Sequence, residues 1–221
     1  AMNRPETRFV LTADSPSETL ARVVMTHFNL NRLADDPFVL TNGPGDTFNR
    51  YRQAATNTTE VYVLWEPFVS RVLENENMHV VVDSSRFRGY IVDVIVVSRD
   101  FLQKNPEAVR DFVGCYFTAA YHHRKNMVSL VQSDAQQQRQ PLTPQQAQQL
   151  VQGIRWQNTQ ENFAHFGLIQ DAGRQHIEDM IGNITRVLLR TAAISRDPTE
   201  GRPNRLYYER VLNELRQSNF H

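Results

Sequence analysis

Two periods alternate along the first part of the chain. Arg8-Phe9-Val10-Leu11-Thr12 reads as a strand, and Leu20, Val23, Val24, His27 and Phe28 then recur at helical spacing. Ser15, Pro16 and Glu18 predict the start of that helix. They supply a serine cap, a proline at the first helical position and a glutamate three residues after the cap, which together form an S-x-x-E capping box. Pro37-Phe38-Val39-Leu40 predicts a second strand, Thr41 to Gly45 a turn, and Asp46 the cap of a helix through Phe48, Tyr51 and Ala55. The alternating stretch Glu60 to Leu64 predicts a third strand that stops at Trp65-Glu66-Pro67. A short helix follows through Phe68, Val69 and Val72, with Pro67 at its first helical position. Met78 to Val82 and Tyr90 to Val97 predict a fourth and a fifth strand.

Beyond Arg99 the pattern changes to the helical period alone. Asn105-Pro106-Glu107 opens a helix whose apolar positions are Val109, Phe112, Val113, Tyr116, Phe117 and Ala120. Residues 132–152 are rich in glutamine. Within them Thr143-Pro144-Gln145-Gln146 is a T-x-x-Q capping box ahead of Leu150 and Val151, which predicts a surface helix entered by a flexible loop. A short helix through Phe163 and Phe166 follows Trp156. A strong helix runs from Ile177 to Leu188 and stops near Ser195 to Pro198, and the last includes Leu206, Tyr207, Val211, Leu212 and Leu215. The expected fold class is therefore α/β: a mostly parallel sheet flanked by helices over residues 8–98, then an all-helical part over residues 99–221. Apolar faces carrying Phe112, Phe117 and Ile181 need cover, either from the rest of the chain or from a second copy, so a homo-oligomer is an expected partner.

Composition narrows the function classes. The chain has 24 Lys and Arg against 24 Asp and Glu, a formal charge of zero, and no dense basic run, so the electrostatic footprint of a nucleic-acid binder is missing. The apolar run Ile91 to Val97, interrupted by Asp93, is too short to cross a bilayer, and no membrane span is expected. The single cysteine, Cys115, excludes an intrachain disulfide and a Cys-based zinc site. His122 and His123 are neighbours on a predicted helix and cannot share a face, and no His-x-x-x-His pair occurs, so neither a metal nor another cofactor is expected. Asn42-Gly43-Pro44-Gly45 lacks the spacing and the lysine of a phosphate-binding loop. Ala1-Met2 reads as a vector remnant, with a leader or a further N-terminal portion expected ahead of Asn3 in the natural protein.

Candidate chemistry gathers at the strand exits. Parallel strands leave a sheet on one side, and ligands of open α/β sheets bind outside those carboxyl ends. Ser15 and Ser17 offer amides and hydroxyls at a helix start, Asn42 lies in the second turn, Trp65 and Glu66 form the third corner, and Tyr90 and Asp93 belong to the fifth strand. Each also has a structural role open to it. Ser15 and Glu18 can serve the cap, where Glu18 would oppose a bound anion; Trp65 can pack a core edge and Glu66 can cap its own helix. Asp93, inside an apolar strand, can take backbone hydrogen bonds instead of a ligand.

Four stretches carry a likeness to a known family. They are Asp14-Ser15-Pro16-Ser17-Glu18-Thr19-Leu20-Ala21-Arg22, Val63-Leu64-Trp65-Glu66-Pro67-Phe68-Val69-Ser70, the run from Asp93 to Leu102, and Asn105-Pro106-Glu107-Ala108-Val109-Arg110-Asp111-Phe112. In order and spacing they resemble the solute-binding proteins of ABC importers of the nitrate, sulfonate and taurine class. The resemblance implies a periplasmic-binding-protein-like fold with two α/β lobes and the solute held between them. This chain would supply the second lobe and the return into the first, most of whose sheet precedes the position of Arg8 in that family. It further implies non-catalytic binding of a small polar or anionic solute, an ABC permease as partner of the full-length protein, and a place on the periplasmic or extracellular side of the membrane. Two alternatives use the same scaffold: a ligand-sensing or protein-docking domain, and an enzyme of the thiamine-pyrimidine-synthase type. The enzyme depends on a cysteine cluster that Cys115 alone cannot reproduce.

Overall fold

The computed structural model describes residues 2–54, 58–171, 173–218 and 220. The chain forms two compact units, one of Ala1–Val92 with Asn183–Asp197, the other of Asp93–Gly182 with Pro198–His221. Residues 183–197 thus belong with the strand-bearing unit, although the change of period in the sequence falls near Arg99.

The first unit is built on a parallel sheet of three strands in the order β2-β1-β3: β1 (Arg8–Thr12), β2 (Phe38–Thr41) and β3 (Glu60–Val63). β1 lies in the middle, with Thr12 opposite Thr41 on one side and Leu11 opposite Val63 on the other. Phe9 and Leu11 pack with Ala21 of α1 (Pro16–His27), while Val10 and Thr12 point to the opposite face by the two-residue period of a strand. Farther along α1, Val23 and Val24 form a second cluster with Phe87 and Val187, with Tyr90 against its edge. α2 (Pro44–Gln53) and α3 (Phe68–Val72) complete the alternation. A polar tie joins α2 to β3: Arg50 Nε donates to Glu60 Oε1 at 3.0 Å, and the Tyr62 hydroxyl donates to Glu60 Oε2 at 2.7 Å. Burial pushes the Glu60 pKa up, but the hydrogen bonds from Arg50 and Tyr62 and the charge of Arg50 outweigh it and hold the carboxyl below its ordinary value.

Several predicted elements change. The helix expected to be capped by Asp46 starts earlier, with Gly43 as the cap and Pro44 in the first turn; its expected continuation to Ala55 lies outside the described residues. Thr47 takes the inner place, its buried hydroxyl 2.7 Å from that of Thr41. Pro67 is the cap of α3 rather than its first residue, and the Glu66-Pro67 bond is cis. The two further strands do not form. Residues 78–82 and 90–97 pair with no strand among the described residues, and Val80, Val81, Val94 and Ile95 are exposed, with Val96 open to 85%. Alternation confers only a propensity for extended backbone, and a ladder also needs a neighbouring edge to satisfy its N–H and C=O groups. Asp93 is consequently exposed and not embedded in an apolar strand.

The second unit contains helices and no strand among its described residues. α4 (Arg99–Lys104), α5 (Pro106–His123), α6 (Met127–Gln137), α7 (Pro144–Gly153) and α8 (Thr159–His165) follow in order. α9 (Ile177–Arg190) passes from this unit into the first, and α10 (Arg210–Gln217) closes the chain; it begins after Leu206 and Tyr207, which were expected within it. Val109, Val113 and Phe117 of α5 meet Phe163 of α8 and Val211, Leu212 and Leu215 of α10. The capping box at Thr143 is complete, with Gln146 returning to the cap amide, and Asn158 and Glu161 form another at α8.

Leu11→Ala removes a wholly buried side chain from the central strand, and urea titration should show a loss of about 2–5 kcal/mol. Because the Glu60 pKa is lowered by folding, the carboxylate stabilises the protein above its unfolded pKa of about 4.3, and that contribution disappears as the pH falls through the folded value. Titrations at about pH 7 and about pH 3 should therefore show Glu60→Gln losing less stability on acidification than the parent.

Candidate functional site

The register of the sheet brings the strand exits onto one edge. β1 and β2 end side by side at Thr12 and Thr41, and β3 ends at Val63, the partner of Leu11, one residue short of them. The order β2-β1-β3 makes the chain reverse its direction across the sheet between β1 and β3, the kind of switch point beside which α/β folds hold ligands.

The most elaborate corner follows β1. Asp14 adopts a positive φ of 50°, turning the chain sharply into the cap. Ser15 Oγ accepts from the Ser17 amide at 3.2 Å and donates to the Thr12 carbonyl at 2.6 Å. Glu18 Oε2 accepts from the Asp14 amide at 3.0 Å, and Oε1 accepts from Arg22 Nε at 3.0 Å and Nη2 at 2.6 Å. Arg22 Nη1 donates to the Thr191 carbonyl at 2.8 Å, and the guanidinium stands 4.7 Å over the Phe38 ring. Every nitrogen of Arg22 thus has a protein partner.

Against this corner lies an open groove of about 410 Å³, lined by Asp14, Ser15, Pro16, Glu18, Thr19, Arg22, Tyr90, Ile91, Val92, Leu188, Ala193 and Ile194. The lining combines the hydroxyl-bearing Ser15, Thr19 and Tyr90 with apolar residues such as Ile91, Leu188 and Ile194, and Thr19 Oγ1 donates to the Ser15 carbonyl at 3.4 Å. The groove sets the carboxylates of Asp14 and Glu18 against the single guanidinium of Arg22, so its local charge opposes a simple anion.

The structure brings two of the sequence candidates, Ser15 and Tyr90, together here. Ser17 is buried, and its amide is committed to the cap. Asn42 lies exposed in the turn after β2 and is not part of the groove lining. Trp65, 39% exposed, stands at the β3 corner, and Glu66 there accepts from the Ser70 amide at 3.2 Å and the Ser70 hydroxyl at 2.8 Å, the capping role open to it from the sequence. Asp93 belongs to the second unit.

Residues missed in the sequence include Thr19 and Arg22, four and seven positions after Ser15, a helical spacing that marks them as its neighbours. Leu188, Ala193 and Ile194 carry no such signal, being far along the chain. Thr12 was also missed. Its hydroxyl is buried at the end of the central strand with no hydrogen-bond partner among the described residues.

Perturbed titration occurs away from this edge. The Tyr62 pKa is raised by burial and by its bond to Glu60, at the opposite end of β3. Tyr207, in the second unit, is pushed up to about 12 by burial and by Glu178, to which its hydroxyl donates at 2.9 Å. Both phenols stay protonated at neutral pH, and neither is poised as a base. Among the described residues no group of three or more His, Cys, Asp or Glu is placed to hold a metal ion, and no helix is long and apolar enough to cross a membrane. No family model, curated protein or solved structure matches this chain.

Loss of the cap is directly measurable: Ser15→Ala should lower stability by about 1 kcal/mol in urea unfolding, while Ser15→Asp, which keeps an acceptor, should stay near the parent.

Proposed function

We propose that this chain is a non-catalytic binding lobe for a small polar solute, and that the groove beside α1 is its share of the site. One observation carries the reading: the hydroxyl-bearing residues Ser15, Thr19 and Tyr90 line one groove with the apolar Ile91, Leu188 and Ile194 at the carboxyl edge of a parallel sheet. The periplasmic-binding-protein-like character of the lobe, the importer role, the ABC permease partner and a place on the periplasmic or extracellular side of the membrane rest on the resemblance carried by the Trp65-Glu66-Pro67 corner and the run from Asp93 to Phe112. Binding without chemistry is supported by Ser15, whose hydroxyl proton is committed to the Thr12 carbonyl and not to a base that could activate it. Charge refines the solute class. Arg22 is already matched by Glu18, and Asp14 adds a further carboxylate, so a neutral or zwitterionic solute suits the groove better than nitrate or phosphate. A second reading, a protein-docking domain on the same scaffold, is favoured by the exposed run Val94-Ile95-Val96.

Calorimetry against zwitterionic sulfonates, amino acids, small organic acids, nitrate and phosphate tests the proposal. A zwitterionic or neutral solute should bind, Tyr90→Ala should weaken it by about tenfold, and Trp65→Ala should leave it unchanged. Sensitivity to Trp65→Ala alone would move the site to the β3 corner, and absence of binding by every solute would favour docking.

A further inference from the structure

α5 has two apolar faces, and the second unit covers one. Val109, Val113 and Phe117 are buried against α8 and α10. Ala108, Phe112, Cys115, Tyr116 and Ala119 occupy positions i, i+4, i+7, i+8 and i+11, a single stripe along the helix, and all five are exposed. Phe112 is open to 58% and Tyr116 to 46%. The stripe contains no charged side chain. Exposed aromatic rings flanked by small residues on a helix of 18 residues form a surface on which another helix can pack ridge into groove.

Charge on the flank of the stripe selects the occupant. Glu107, Asp111 and His122 follow one ridge, and Lys125 continues it just past the helix end. Acidic groups therefore lie at one end of the ridge and basic-type groups at the other. A second α5 laid parallel would set Glu107 beside Glu107; laid antiparallel, it sets Glu107 and Asp111 beside Lys125 and His122. Arg110 meets Asp111 at 3.1 Å and offsets its charge, so the match rests on Glu107 against Lys125. The same two-fold arrangement, centred on Tyr116, places Phe112 over the small residues Ala119 and Ala120 of the opposite helix, a large side chain against a low surface. Self-complementarity of this kind is what an isologous dimer requires.

We propose that the exposed face of α5 is a homodimer interface, formed by antiparallel packing of α5 on the α5 of a second copy. The interaction is independent of the groove at α1 and of any solute there.

Sedimentation equilibrium of the chain up to about 100 µM should show a dimer in the micromolar range. Phe112→Glu should weaken association by more than about tenfold and leave the far-ultraviolet circular dichroism unchanged, because the side chain is outside the core. Glu107→Lys and Lys125→Glu should each weaken the dimer, and the double exchange should restore it. A short bismaleimide should link the two copies through Cys115, next to the two-fold axis. A monomer throughout the concentration range, a dimer indifferent to Phe112→Glu, or a charge exchange that fails to restore association would each overturn the proposal.

Discussion

Burial of β1 between two parallel neighbours is the constraint on which the first unit depends. Val10 and Leu11 are wholly buried and Phe9 nearly so, while the strand's backbone is paired on both sides. Such a strand cannot slip by one residue without turning Phe9 and Leu11 away from Ala21 of α1. The register then dictates where Thr12, Thr41 and Val63 end, and with them the edge on which every candidate corner lies. The position of the candidate groove at that edge is thus a consequence of packing in the middle of the sheet.

At the corner after β1 the fold itself takes up the groups that a helix start offers to a ligand. A helix N-terminus invites an anion through its free amides, yet here Ser15 occupies the Ser17 amide and Glu18 occupies that of Asp14. Glu18 also neutralises Arg22, which bonds to the Thr191 carbonyl and rests on Phe38, so one ion pair ties the helix start to the sheet and to the segment after α9. Of the small polar or anionic solutes expected from the resemblance, the neutral or zwitterionic ones fit the proposed site better, because the carboxylates of Asp14 and Glu18 outnumber the one guanidinium of the groove.

The two units differ in what they leave open. The first exposes the β-branched stretch at Val80 and Val81, and the second exposes Val94 to Val96 together with one face of α5. Scattered apolar residues on a surface need no explanation, but contiguous ones mark places where further chain is accommodated. In α5 the distribution of charge is what the proposed pairing with a second copy rests on; along residues 94–96 no comparable signal selects an occupant.

Local chemistry along the sequence determined the three strands that pair and the helix starts after Ser15 and Thr143, though not those at Gly43 and Pro67. Thr143 and Gln146 form the expected box, whereas Ser15 caps the Ser17 amide and Glu18 reaches the amide of Asp14 and not that of Ser15, so at the first helix the cap was legible and the reciprocal bond was not. Phe9 and Leu11 were legible too, their alternation matching one buried face. Tertiary structure alone decided that residues 78–82 and 90–97 remain unpaired, because pairing is a property of two edges and the sequence of one segment describes only its own. It also decided the groove. Ser15, Thr19 and Arg22 share a helix and could be grouped from spacing, but Tyr90 and the wall at Leu188, Ala193 and Ile194 reach them only through packing of distant segments, which no local period encodes.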